Sequence, residues 1–373
     1  MSEMNGREDF GNIKIEFIKE NHWVRRWIRN AMPKSIRQAR LNRNAYNIVR
    51  KALDETNCNA LVDLNQYDAV HFHDTFSLYF AKDSLAEYKG KVILMSHSPK
   101  ALHKEYIEEK LSKEDVENNI DELKKFEIVD EYAFNRADYI IYPCKEAEEP
   151  YYHSWDKYEE IHNNNAEKYR YIVTGIKQCH PRLSREEFRR RNNIDKEAFV
   201  VCYVGRHNET KGYDIFKSAM GIVLNGEGGQ NTFVVCAGAN QPIQGLVHDR
   251  WTEMGWTDDA YSIINAADLF VLPNRETYFD LILLEVLSIG TPVLASYTGG
   301  NKYFEEFQGK GLWLYEDYEN PDYLAEMVME YREKRADSAK DYIMQNQKLF
   351  LDRFSSKRLL ENYVELLDSI LSN

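Results

Sequence analysis

The chain has 373 residues, 43% of them hydrophobic and 29% charged, and a formal charge of −13. That length holds two domains with sizeable cores. The acidic balance argues against nucleic-acid binding, and no apolar run is as long as a membrane-spanning helix. No secretory leader is expected. The five cysteines (Cys58, Cys144, Cys179, Cys202 and Cys236) are scattered without zinc spacing. They read as reduced and structural, which points to a cytoplasmic protein.

The first 11 residues are polar. Residues 13–18 carry a strand-like run followed by a helical pattern, so a first βα unit is expected to be missing, shortened or truncated. Residues 21–53 contain nine Lys or Arg and no acid. Trp23, Val24, Trp27 and Ile28 share a helical face beside Arg25, Arg26 and Arg29, and Pro33 breaks the helix. Ile36, Tyr46, Val49 and Leu53 form a second stripe flanked by Arg37, Arg40, Arg43 and Arg50. A basic amphipathic segment of this kind suits an anionic membrane surface. The alternative is that the apolar residues pack on a sheet and the arginines pair with acids such as Glu108, Glu109 or Asp115.

Strands are expected at 67–74, 91–98, 137–144 and 171–175, separated by helical segments, which is βα alternation. In open α/β sheets ligands bind beyond the carboxyl ends of strands. Those ends carry His73, Asp74, His97, Cys144 and Gly175. His71 and His73 lie on one strand face; His71 is assigned to packing, and His73 to the cleft. His97 is the main cleft candidate of this half, the alternative being a histidine that satisfies a buried carbonyl. Residues 102–130 and 145–170 read as helices with solvated charged faces.

The second half is more explicit. Residues 199–204 form a buried parallel-type strand that ends in Gly205 and Arg206, with Lys211 and Gly212 just beyond. Residues 232–237 and 269–273 form two more strands. Residues 274–303 read as loop, helix, strand and loop. Leu281, Leu284 and Leu287 recur at helical spacing on a face expected to pack on a sheet, and Gly290 with Pro292 stops the helix. A helix start offers free N–H groups and a positive dipole end to a phosphate. Glu285 suits sugar hydroxyls, and Gly299 with Gly300 lets backbone approach a ligand closely. Together these describe a nucleotide-sugar site. Trp256 and Tyr261 lie where a base would stack, with packing as the alternative. There is no Asp-x-Asp pair for a metal-bridged diphosphate.

Residues 200–304 resemble the donor domain of family-four retaining glycosyltransferases. The matches are Gly205, Arg206, Lys211, Gly212, Phe279, Leu281, Glu285, Gly290, Pro292, Val293, Gly299 and Gly300. Thr277 stands where the family has its first glutamate, Asp280 where it has a glycine, and Glu276 lies one residue early. The resemblance implies two Rossmann-like domains facing across a cleft, the GT-B fold. The first domain spans 1–190, the donor domain spans 195–349, and a helix within 350–373 crosses back onto the first.

It further implies transfer of a sugar from a nucleoside-diphosphate sugar, a UDP-sugar, to a glycan, glycolipid or lipid-linked acceptor in polysaccharide synthesis, with anomeric configuration retained and no metal or other cofactor. Arg206 and Lys211 would grip the diphosphate, and His97 would lie near the reacting carbon. Gly205, Glu276, Thr277, Tyr278, Phe279, Asp280, Leu281, Gly299 and Gly300 would line the donor, with His73, Asp74 and Gly175 toward the acceptor. The enzyme would lie in the cytoplasm, at the inner face of its membrane. Two alternatives stay open: a non-catalytic transferase-like partner, and another GT-B enzyme such as a nucleotide-sugar epimerase.

Overall fold

A computed structural model describes residues 34–54, 58–239, 241–334 and 339–372. The segment 13–18 and the tryptophan face of the basic segment, with Arg25, Arg26 and Arg29, lie outside these residues.

Two parallel sheets organise the chain. The first has four strands in the order β1-β2-β3-β4, namely Ala69–Phe72, Lys91–Leu94, Tyr139–Tyr142 and Tyr169–Tyr171. The second has six: β5 (Phe199–Val204), β6 (Thr232–Ala237), β7 (Trp251–Glu253), β8 (Leu269–Leu272), β9 (Val293–Ser296) and β10 (Leu312–Tyr315). Their spatial order is β10-β9-β8-β5-β6-β7. Every pairing in both sheets is parallel. The chain moves outward from β5 through β6 to β7, then returns to β5's other edge at β8. That reversal opens a crevice at the carboxyl ends of β5 and β8.

β5, β8 and β9 are almost wholly buried, as expected for strands covered by helices on both faces. Asp268 fixes the start of β8: its carboxylate takes the amide of Val200 at 2.7 Å and Arg189 at 2.9 Å, and pairs with Arg185. Two expectations need correction. The fourth strand of the first sheet lies at 169–171 rather than 171–175. The short edge strands β7 and β10 have no matching expectation, since three or four residues give too little alternation to read.

Helix α1 (Lys34–Leu53) corrects the reading of the basic segment. Val49 is fully buried, and with Ala45 and Ala52 it packs against Tyr79, Phe126 and Val129. Tyr46 donates a hydrogen bond to Glu122 at 2.6 Å. Of the second stripe, Val49 is thus core and Tyr46 and Leu53 pack against it, while Arg40, Arg43 and Arg50 are exposed.

The carboxy-terminal helix (Ser356–Leu371) lies on the first sheet. Ile370 is buried there against Ile93, Ile141 and Ile172, with Leu359, Tyr363, Leu366 and Leu367 alongside. The Tyr363 hydroxyl lies 2.5 Å from His71 Nδ1. Burial chiefly, with the neighbouring His73 and His97, holds the His71 pKa down at about 4.

A histidine depressed on folding contributes stability that is present above its unfolded pKa of about 6.5 and lost as pH falls toward its folded value. His71→Gln is therefore expected to flatten the fall in melting temperature between roughly pH 6.5 and pH 4. Parallel melting curves for the two proteins across that window would refute this.

Candidate functional site

Four segments meet at the crevice between β5 and β8. Beyond β5, the Gly205 amide bonds Ala237 and the Tyr203 hydroxyl donates to the Arg206 carbonyl at 2.7 Å. Arg206 is left exposed, and among the described residues its guanidinium makes no ion pair. Gly212 has φ of +63°, and a Cβ there would collide with the Pro273 carbonyl. Only glycine seats this turn against the end of β8. The turn carries Lys211, whose amide bonds Asn208 Oδ1 at 3.0 Å.

Lys211 is not free: its ammonium lies 2.6 Å from Asp280 Oδ2. Asn274 donates to the same oxygen at 2.5 Å. Asp280 is the N-cap of α3 (Leu281–Ile289), but its side chain caps no amide of the helix.

The loop before α3 departs from the sequence reading in two ways. Cβ atoms on Gly299 and Gly300 would collide with the carbonyls of Thr277 and Tyr278, so these glycines serve close approach of the chain's own backbone. Gly300 N–H bonds the Thr277 carbonyl at 3.2 Å. Leu281, expected on the core face, is half exposed, while Leu284 and Leu287 are fully buried. At the first helical position its side chain clears the sheet and lies open at the crevice.

Thr277 is buried, and Phe279 packs on Phe304 at 5.7 Å between ring centroids, inside the core. Tyr278 meets Tyr142 of the first half at 5.8 Å, with its hydroxyl buried and unpartnered. Burial pushes the Glu276 carboxyl up, and Lys100 and His153 partly offset this. Glu276 therefore lies within electrostatic reach of the first half.

Glu285 sits one turn into α3 and accepts from the Tyr261 hydroxyl at 3.2 Å. Burial raises its pKa, Tyr261 opposes this, and Asp280 adds to it. Tyr261 is thus committed to Glu285, whereas Trp256 is 81% exposed.

Sequence reasoning missed Glu149, which it placed on a solvated face. Glu149 Oε1 accepts the Gly299 N–H at 3.2 Å, and Oε2 pairs with Lys302. Only the meeting of the two halves brings them together, so no local pattern signals it.

On the first sheet, His73 Nδ1 and His97 Nε2 are 3.0 Å apart. His71 stacks on His73 at 4.3 Å, so three imidazoles form a column that ends at Tyr363. Burial and His73 lower the His97 pKa. Asp74 caps helix Thr75–Tyr79 through Ser77 N–H and Oγ, each at 2.7 Å. Gly175 faces the Ser355 carbonyl and Leu359 where the chain crosses back. Both have structural employment that accounts for them.

Comparison with known proteins agrees with this geometry. Residues 198–333 match a family described as "Glycosyl transferases group 1". An uncharacterised glycosyltransferase of Methanocaldococcus jannaschii is 27% identical over 181 residues, 44% of this chain and 45% of that protein. An Escherichia coli UDP-Gal:alpha-D-GlcNAc-diphosphoundecaprenol alpha-1,3-galactosyltransferase is 28% identical over 127 residues, 31% of this chain and 33% of that one. The chain thus spans less than half the length of these relatives.

Over nearly the whole chain the likeness is structural. Sucrose-phosphate synthase from Thermosynechococcus elongatus superposes with a TM-score of 0.60 at 17% identity, covering 91% of this chain and 80% of that one. HepE from Anabaena in complex with UDP gives 0.59 at 16% identity, covering 87% and 82%. The fold is GT-B, and the resemblance to glycosyltransferases holds over the second unit.

Glu285 yields a test independent of ligand. A carboxylate whose pKa rises on folding contributes stability below its unfolded pKa and loses it as pH rises through the folded value. Near pH 7 the buried charge is a burden, so Glu285→Gln is expected to melt higher than the parent without ligand, the gap closing toward pH 4. A lower melting temperature at pH 7 would show that the carboxylate is structurally required.

Proposed function

We propose that the chain is a retaining glycosyltransferase that moves a sugar from a nucleoside-diphosphate sugar, a UDP-sugar, to a glycan, glycolipid or lipid-linked acceptor in cell-surface polysaccharide synthesis. The observation that carries this is Lys211 held against Asp280 at the head of α3, with Glu285 one turn into that helix and Arg206 exposed on the same loop as Lys211. The group 1 match supports it, as do the UDP held by HepE and the lipid-diphosphate acceptor named for the Escherichia coli relative.

The physical task is to stabilise charge on the departing diphosphate. Arg206 offers a fixed fork of donors, Lys211 a point charge, and α3 the amides of Leu281 and Ile282 at its start. Groups aimed beforehand at a developing charge are the strongest source of rate in a water-poor crevice. Glu285 holds ribose hydroxyls, Glu276 and Thr277 meet the sugar, and His97 faces the reacting carbon from the first half. Two cations replace a metal in this scheme.

One observation favours a second reading, a non-catalytic partner: Lys211 is already neutralised by Asp280. A catalyst releases UDP faster when acceptor is present. A partner binds without turnover, and an epimerase needs no acceptor.

Charged hydrogen bonds of this kind are worth about 1.5–3 kcal/mol. Arg206→Ala and Lys211→Ala should each weaken UDP binding by about tenfold or more while the fold persists, measured by titration calorimetry. Parent-like affinity in both would end the assignment. Transfer should also survive EDTA; activity that returns only with added magnesium or manganese would reject the metal-free scheme.

We further place residues 21–53 at an anionic membrane surface, through Arg40, Arg43 and Arg50 together with the part before residue 34. Co-sedimentation should then be stronger with anionic than with neutral vesicles and fall as salt screens the charge. Equal binding to both would leave the segment as an ordinary packed helix.

A further inference from the structure

The crevice contains a contradiction that the donor reading leaves unresolved. The lysine best placed for a diphosphate already holds an anion supplied by the chain. Asp280 Oδ2 accepts from Lys211 at 2.6 Å and from Asn274 at 2.5 Å, and the carboxylate and ammonium are 13% and 25% exposed. Asn274 is fully buried, so its amide donor is fixed in place.

An aspartate at a helix start ordinarily accepts an N–H of the first turn. Asp280 does not. Its carboxylate turns instead to Lys211 and leaves the amides of the first turn without a side-chain acceptor. Leu283 N–H is taken by the Asp280 carbonyl at 3.1 Å, so the amides without a side-chain acceptor that an anion can still meet are those of Leu281 and Ile282, while the cationic half is closed.

We infer that Asp280 is an internal competitor of the donor diphosphate: it occupies Lys211 when the site is empty and sets how tightly the nucleotide is held. The inference rests on the nucleotide-sugar reading. A diphosphate entering the crevice meets Arg206 without an ion pair among the described residues. It then has to share or take Lys211 from a carboxylate that remains beside it. Like charges at such separation repel appreciably in a partly dry site. The leaving nucleoside diphosphate is the most highly charged species of the cycle, so it gains most from Lys211 and is most weakened by the rival. Asp280 thus works against product retention, and product release limits the turnover of many enzymes.

The test is titration of UDP into the full chain in EDTA, for the parent, Asp280→Asn and Asp280→Gly. Asparagine keeps shape and hydrogen bonding without charge. Glycine removes the side chain where an N-cap tolerates it. Melting temperature establishes that each variant is folded.

Both variants are expected to bind UDP at least about tenfold more tightly, about 1.4 kcal/mol, with a slower off-rate, and the gain should shrink at high salt. Unchanged or weaker binding in both folded variants overturns the inference while leaving the nucleotide reading intact. A parent that gains affinity with magnesium, a gain lost in Asp280→Asn, also overturns it, because Asp280 would then be a metal ligand. Absence of binding in all three proteins would sink the nucleotide reading and this inference with it. Binding by the variants alone supports both.

Discussion

The constraint on which the site depends is the reversal of strand order between β5 and β8. Two parallel strands lie side by side, but the chain leaves them toward opposite edges. The segments after them cannot cover one another, and a crevice stays open at their carboxyl ends. Arg206 and Lys211 come from one lip, Asn274 to Glu285 from the other. Gly212 locks the two lips together, because any side chain there would meet the Pro273 carbonyl. The chemistry is thus attached to the most deeply buried strands, where pairing on both edges gives little room for drift.

A second layer of control comes from the meeting of the two halves. Glu149 takes the Gly299 amide and Lys302, Tyr142 packs against Tyr278, and the Cys179 amide bonds Ser288 at 2.8 Å. Gly299 and Gly300 lie directly beneath Thr277 and Tyr278. Pull on Glu149 is therefore transmitted to the backbone that precedes α3. Among the described residues, the first half meets the donor-side loop through the Glu149 contacts with Gly299 and Lys302 and the Tyr142–Tyr278 ring contact, beside buried apolar side chains of both halves that pack in one cluster.

How much was legible in the sequence follows from the range of the forces involved. β5 and β6 were readable to the residue, because unbroken apolar runs bounded by polar residues are local signals. Arg206, Lys211 and Glu285 were singled out through resemblance and position; the structure sets Lys211 against Asp280 at the head of α3, pairs Glu285 with Tyr261 and leaves Arg206 exposed on the loop after β5. Leu281 was misassigned because periodicity gives a helix face but not where the sheet beneath it ends. The glycine pair was read as letting backbone approach a ligand; the structure adds a close approach to the chain's own carbonyls, which no local pattern signals. Asp280 was visible as a departure from a glycine, yet nothing local says that its carboxylate forgoes the cap for Lys211. Glu149 was invisible, since its partners lie about 150 residues away.

The charge arrangement completes the picture. Lys211 is matched by Asp280, Lys302 by Glu149, and Glu285 adds an anion held up in pKa by burial. Before any ligand arrives, these side chains come close to cancelling, in a protein whose net charge is −13. A diphosphate is therefore not drawn in by a strongly positive field. On the proposed reading its recognition comes from short-range terms: the fork of Arg206, the amides of Leu281 and Ile282, and exchange of partners at Lys211. A site arranged this way favours anions that fit its geometry over anions in general.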